Sequence, residues 1–143
     1  RPLSLAHRDT GLHVPTGSID TMLAEGFVPL LHGDCVAHEG NGATILSGDD
    51  IVVALAESLS ADRVGLCSTV PGVLDGDGEV VARIESFEDV AENIETSEQT
   101  DVTGGMAGKI RTLLDLPMSA QIFGLDDLPA FLAGETPGTT VIG

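Results

Sequence analysis

The chain has 143 residues, with 23 acidic side chains against 6 basic ones, a formal charge of −17 at pH 7, and 42% hydrophobic residues. That length and apolar content suit one compact domain, and a mean hydropathy of +0.23 excludes an acidic disordered chain, which would be poor in apolar side chains. No basic stripe faces backbone phosphates and no apolar run reaches the ~18 residues of a membrane span, so nucleic acid and membrane are excluded as partners and a cytoplasmic protein is expected.

In chain order, a short extended segment, a turn at Asp9 to Gly11 and a strand at Leu12 to Val14 lead into a helix marked by Ile19, Met22 and Leu23 and stopped by Gly26. Phe27 to Leu31 is a continuous apolar run that reads as a strand buried on both faces, although Pro29 cannot donate to a ladder. A hairpin follows, with arms Cys35 to Ala37 and Ala43 to Leu46 and a polar tip at Glu39 to Gly42. Ser47 followed three residues later by Asp50 is a capping-box pattern, and Ile51, Leu55 and Leu59 continue it as one face of a helix over Ser47 to Leu59. Strands are expected at Val64 to Cys67 and Val80 to Ile84, separated by turn chemistry at Pro71-Gly72 and Asp75 to Gly78.

From Asp75 to Asp101 there are ten acids and one base, Arg83, while Phe87, Val90 and Ile94 keep helical spacing. This reads as a solvated helix face rather than a cation site. Beyond it come a helix on Met106, Ile110, Leu113 and Leu114, a strand at Ala120 to Phe123, a short helix at Leu125 to Leu132 and a last strand at Thr139 to Ile142. Strands alternating with helices predict an α/β layered sandwich with a mainly parallel sheet. Cys35 and Cys67 are too few for a disulfide framework and sit in apolar strands, so both are expected in the core. His7, His13 and His38 share no ligand spacing in the sequence, and no metal is assigned to them. The acid-rich surface with a single lysine, Lys109, fits proteins adapted to molar salt, where a screening length of ~3 Å quenches self-repulsion.

Three glycine-bearing segments fall at strand ends or helix starts, where open α/β sheets gather ligands. They are His32-Gly33-Asp34, Ser47-Gly48-Asp49-Asp50, and Asp101 to Lys109, which reads D-V-T-G-G-M-A-G-K. In the third, adjacent glycines permit close approach to the backbone, a helix start offers N–H groups, and the lysine lies one turn in. A phosphate fits that pattern; a tight turn with a surface lysine fits it too. Asp49 and Asp50 satisfy a helix dipole themselves and repel phosphate unless Mg²⁺ or lysine offsets them. His32 reads equally as a substrate contact or as the cap of a strand.

Together H-G-D at His32 to Asp34, S-G-D-D-I-V-V at Ser47 to Val53 and D-V-T-G-G-M-A-G-K at Asp101 to Lys109 resemble the amino acid kinase superfamily, most closely its archaeal isopentenyl phosphate kinases. The resemblance implies a three-layer αβα sandwich, with an acceptor-side remainder at about 1–60 and a nucleotide-binding part at about 61–143. It implies ATP, Mg²⁺ and a small phosphate acceptor, a homodimer for the complete protein, and transfer of the ATP γ-phosphoryl to isopentenyl phosphate in isoprenoid synthesis. Position by position, Gly48 resembles the glycine whose backbone meets the acceptor phosphate, and Asp50 the acid that organises catalytic lysines. Thr69, Gly104, Gly105 and Lys109 resemble the nucleotide site. The family's T-D-V-D-G-V segment stands here as Ser68-Thr69-Val70-Pro71-Gly72-Val73, with Thr69 and Pro71 in place of its aspartates. The chain starts at Arg1 and shows neither the family's opening lysine loop nor its second glycine-rich loop with a histidine, so these residues by themselves are expected to be an inactive portion of a kinase. A related small-molecule kinase and a non-catalytic nucleotide-binding module are the alternatives.

Overall fold

The structure, a computed structural model, describes residues 6–91 and 105–143. It divides into two units, Arg1–Ala61 and Asp62–Gly143, each with its own four-stranded sheet.

The first unit opens with a hairpin of β1 (His7–Arg8) and β2 (Leu12–His13), joined by a turn in which the Asp9 carboxylate accepts the Gly11 N–H at 3.0 Å. That backbone donor, with His13 beside it, holds the Asp9 carboxyl well below the usual carboxylate range. Helix α1 (Gly17–Ala24) ends where Gly26, at φ 79°, takes the left-handed conformation, and the amides of Gly26 and Phe27 reach back to Leu23 O and Met22 O. This is a Schellman cap, and its 6→1 bond captures Phe27 as part of the helix end. β3 (Asp34–His38) and β4 (Gly42–Leu46) form the second hairpin, and the sheet order is β2-β1-β3-β4. Helix α2 (Gly48–Leu59) follows, and Ala6, Val36, Leu46 and Ile51 form the buried centre, with Leu12, Val14, Leu31 and Leu55 packed around it.

The second unit has β5 (Val64–Ser68), β6 (Arg83–Ile84), β7 (Ser119–Gly124) and β8 (Thr139–Ile142) in the order β5-β7-β8-β6. Helices α3 (Gly105–Leu114) and α4 (Leu128–Leu132) accompany them, with short 3₁₀ turns at Phe87–Asp89 and Leu125–Asp127. Ile110 and Leu113 of α3 are fully buried, as are Ile84, Ile122, Phe123 and Val141 of the strands. Each such side chain contributes about 1.5–3 kcal/mol by leaving water. Gly65 is set by this packing, because a Cβ there would lie 2.7 Å from the rings of both Phe123 and Phe131, which stack at 4.8 Å. Arg63 covers the outer face of Phe131 at 4.3 Å and donates to the carbonyls of Phe131 and Glu135, fastening the end of α4.

The α/β alternation read from the sequence stands, with pairing that is mixed rather than mainly parallel. β1–β3, β5–β7 and β6–β8 are parallel, while β1–β2, β3–β4 and β7–β8 are antiparallel. The expected strand at Phe27 to Leu31 is not formed: the segment has no ladder partner among the described residues, and Val28 and Leu30 are 93% and 92% exposed. Phe27 is committed to the helix cap and Pro29 has no N–H, so the run lacks the donors a ladder needs. The strand expected from Val80 contracts to Arg83–Ile84, with Val80 in an isolated bridge to Leu74. Of the helix expected on Phe87, Val90 and Ile94, the structure describes a 3₁₀ turn at Phe87–Asp89, and Ile94 lies outside the described residues. Cys35 and Cys67 are exposed, not core. Strand alternation gives the inward positions to their neighbours Val36 and Leu66 and turns both thiols outward. Among the described residues no helix is long and apolar enough to cross a membrane.

Candidate active site

β5 and β7 lie side by side, parallel and in register from Val64↔Ala120 to Ser68↔Gly124, so the two strands finish level. The carboxyl ends of adjacent parallel strands are where open sheets leave a crevice. A cavity of about 900 Å³ opens there, lined by residues 67–71 at the end of β5, residues 124–127 at the end of β7, and Gly105, Met106 and Lys109 of α3. Its size is that of a small-molecule site.

Each wall has a local cause. Gly105 begins α3 at φ 54°, a left-handed conformation that favours glycine, and the first turn of α3 contains no acid. That helix start therefore keeps its partial positive charge, and Lys109, one turn further, adds a full one at the same wall. The opposite wall holds Thr69 and Pro71. The loop that follows them is pinned from below by the wholly buried Thr139, whose Oγ1 accepts the Val73 N–H at 2.8 Å. Asp126 and Asp127, in the 3₁₀ turn after β7, bring carboxylates to the rim.

The structure thus brings Thr69, Gly105 and Lys109 to one cavity. Gly104 lies outside the described residues. Gly48 and Asp50 stand in the first unit at the start of α2, where the capping box is complete: Ser47 Oγ accepts the Asp50 N–H at 3.0 Å and Asp50 Oδ2 accepts the Ser47 N–H at 3.0 Å. Space is open beside Gly48, where an added Cβ would meet nothing within 4 Å. Gly33 of the H-G-D segment is required by packing instead, since a Cβ there would come within 2.8 Å of the Leu46 carbonyl oxygen. His32 turns its Nδ1 to the Gly33 carbonyl at 2.7 Å, which makes it a local cap in this structure.

Three residues escaped the sequence reading. Arg8 Nη2 lies 3.4 Å from Asp50 Oδ2, and its buried Nε has no hydrogen-bond partner among the described residues. A guanidinium beside the capping acid counters the repulsion that Asp49 and Asp50 would exert on an anion at this helix start. Nothing in the spacing of Arg8 and Asp50 signals this contact, which joins β1 to the first turn of α2. Asp126 and Asp127 belong to no motif in the sequence, and only the level ends of β5 and β7 bring them to the same cavity as Thr69.

A family profile described as the Amino acid kinase family matches residues 5–122. The chain belongs to that family. Among the relatives it resembles is the isopentenyl phosphate kinase of Haloferax volcanii, 58% identical over 144 residues that cover 99% of this chain and 58% of the relative. The isopentenyl phosphate kinase of Methanocaldococcus jannaschii is 35% identical, over 88% of this chain and 50% of the relative. An X-ray structure of isopentenyl phosphate kinase superposes with a TM-score of 0.75 at 24% identity, over 98% of this chain and 57% of that one, a likeness of fold. This family member therefore spans about half to three-fifths of the length of the relatives it matches. The halophilic relative also agrees with the acid-rich, lysine-poor surface.

Proposed function

We propose that the whole protein transfers the γ-phosphoryl group of ATP to isopentenyl phosphate, giving ADP and isopentenyl diphosphate, in the cytoplasm and as a homodimer. The observation that carries this reading is the cavity at the level ends of β5 and β7, where an acid-free helix start and the chain's single lysine meet. The 58% identity to the Haloferax relative supports the choice of acceptor.

In this reading the nucleotide phosphates lie against the start of α3, with N–H groups near Gly104 and Gly105 and the Lys109 ammonium as donors, and the Thr69 hydroxyl holds the nucleotide from the other wall. Phosphoryl transfer needs positioning and neutralisation of charge rather than a covalent intermediate. The β–γ bridging bond of ATP breaks toward ADP as an oxygen of the acceptor phosphate bonds to the γ-phosphorus. Gly48 presents its backbone to that acceptor phosphate, and Asp50 keeps the Arg8 guanidinium turned to the same helix start. Asp126 and Asp127 fit Mg²⁺, which takes one or two carboxylates and completes its shell with phosphate oxygens and water. When bound, Mg²⁺ supplies charge neutralisation at the phosphates.

The test is Lys109→Ala in the whole protein, assayed in molar KCl. Losing one charge-assisted hydrogen bond to phosphate should raise the KM for ATP by roughly 10- to 100-fold while leaving the KM for isopentenyl phosphate near its starting value. Unchanged kinetics with ATP remove Lys109 from the site. Tight ATP binding with no transfer to isopentenyl phosphate turns the reading to a nucleotide-binding module, which the replacement of both family aspartates by Thr69 and Pro71 favours.

A further inference from the structure

The first hairpin gathers three side chains for which phosphoryl transfer has no use. β1 and β2 pair antiparallel with His7 directly opposite His13, and the two imidazole rings stack with centroids 4.6 Å apart and planes 11° from parallel. Asp9, at the start of the turn, places Oδ1 2.9 Å from His13 Nε2, and the same oxygen accepts from the Gly11 amide at 3.0 Å. One donor atom from each of His7, Asp9 and His13 lies within 4.8 Å of the other two.

We infer that His7, Asp9 and His13 form a binding site for a divalent transition metal ion of the Zn²⁺ type, independent of the proposed kinase chemistry. Two imidazole nitrogens and a carboxylate oxygen are the donor set that zinc, nickel and copper favour, whereas magnesium and calcium call for oxygen alone. Tetrahedral bonds of about 2.0–2.2 Å put ligand atoms roughly 3.3–3.6 Å apart. The set therefore closes by about 1–1.5 Å, which rotation of two exposed imidazoles supplies without moving the strands. The Gly11 amide already fixes the carboxylate, the kind of outer contact that orients a metal ligand. A cavity of about 390 Å³ lies beside the rings, lined by both histidines and by Glu57. It leaves a fourth position open to water, or to the Glu57 carboxylate. Arg8, the cation between His7 and Asp9 in sequence, is turned by strand alternation toward Asp50 instead. The overall charge of −17 draws a dication rather than opposing it.

The experiment titrates the full chain with Co²⁺ and Zn²⁺ at pH 7.5, reading cobalt d–d absorption and zinc calorimetry. One ion per chain is expected, with H7A and H13A each weakening the affinity at least tenfold. His38→Ala should leave it unchanged, because His38 bonds locally to the Glu39 carbonyl and Asn41. Imidazole NMR of the unsubstituted chain answers the same question without any variant: Zn²⁺ should shift His7 and His13 and leave His32 and His38 in place. Affinity untouched by H7A and H13A, a thiolate-to-cobalt charge-transfer band from the exposed cysteines, or zinc shifts spread over all four histidines would each overturn the site.

Discussion

Asp50 serves two masters, and both are visible at atomic distance. Its carboxylate closes the capping box with Ser47 and sits 3.4 Å from the Arg8 guanidinium. Replacing Ser47 with Ala removes the acceptor for the Asp50 amide at 3.0 Å and should lower stability by about 0.5–2 kcal/mol, read as a lower midpoint in urea at constant slope. An unmoved midpoint would show the cap to be dispensable. This cap was legible in the sequence because it is local: the Ser-x-x-Asp spacing and the apolar run after it are properties of neighbouring residues. Arg8 was not, since 42 positions separate it from Asp50 and only the tertiary packing of β1 beside α2 joins them. For the same reason His7 and His13 read as scattered along the chain, although a two-residue strand on either side of a turn makes them cross-strand partners. The outward turn of Cys35 and Cys67 was missed because composition speaks for burial while alternation decides it.

At the scale of elements, punctuated segments were legible and context-dependent ones were not. The cap at Gly26, the hairpin tip at Glu39 to Gly42 and the start of α3 at Gly105 all follow from residues with special backbone preferences. Phe27 to Leu31 has strand-like composition but no partner among the described strands, and a strand exists only as part of a ladder. The 3₁₀ turn at Phe87–Asp89 illustrates the energetics of such short elements. Asp89 caps it by accepting the Ser86 amide at 2.9 Å and the Glu85 amide at 3.1 Å, and these backbone donors hold its carboxyl below the usual carboxylate range. A lowered folded-state value means that the contribution is fully present above the unfolded value of about 3.9 and is lost as pH falls through the folded one. Amide exchange at Glu85 and Ser86 should therefore stay protected from neutrality to about pH 5 and lose its excess protection below pH ~4, with Asp89→Asn flattening that dependence. A pH-independent difference between the two proteins would deny the carboxylate this role.

For the molecule as a whole the governing quantity is charge. Seventeen net negative charges on 143 residues repel one another in dilute buffer. At ~1 M salt the screening length falls to ~3 Å and most of that repulsion disappears. The thermal midpoint should accordingly rise between 0.1 M and 2 M KCl (roughly the range over which screening shortens from ~10 Å to under 3 Å), and a midpoint that is flat or falling across that range would contradict it. Screening acts most on exposed pairs such as Arg83 with Glu85 and least on the buried bond from Val73 to Thr139, so the anchor of the loop after Pro71 should persist while the surface rearranges its pairings.

Alternation along β1 divides two chemistries between opposite faces of one very short strand, imidazole on one and guanidinium on the other. A one-residue slip of β1 against β3 would invert that assignment, handing the helix cap a ring and the hairpin a fixed cation. The pairing of β1 with its neighbours can thus drift in composition but not in register, and any graft into the hairpin has to preserve that parity.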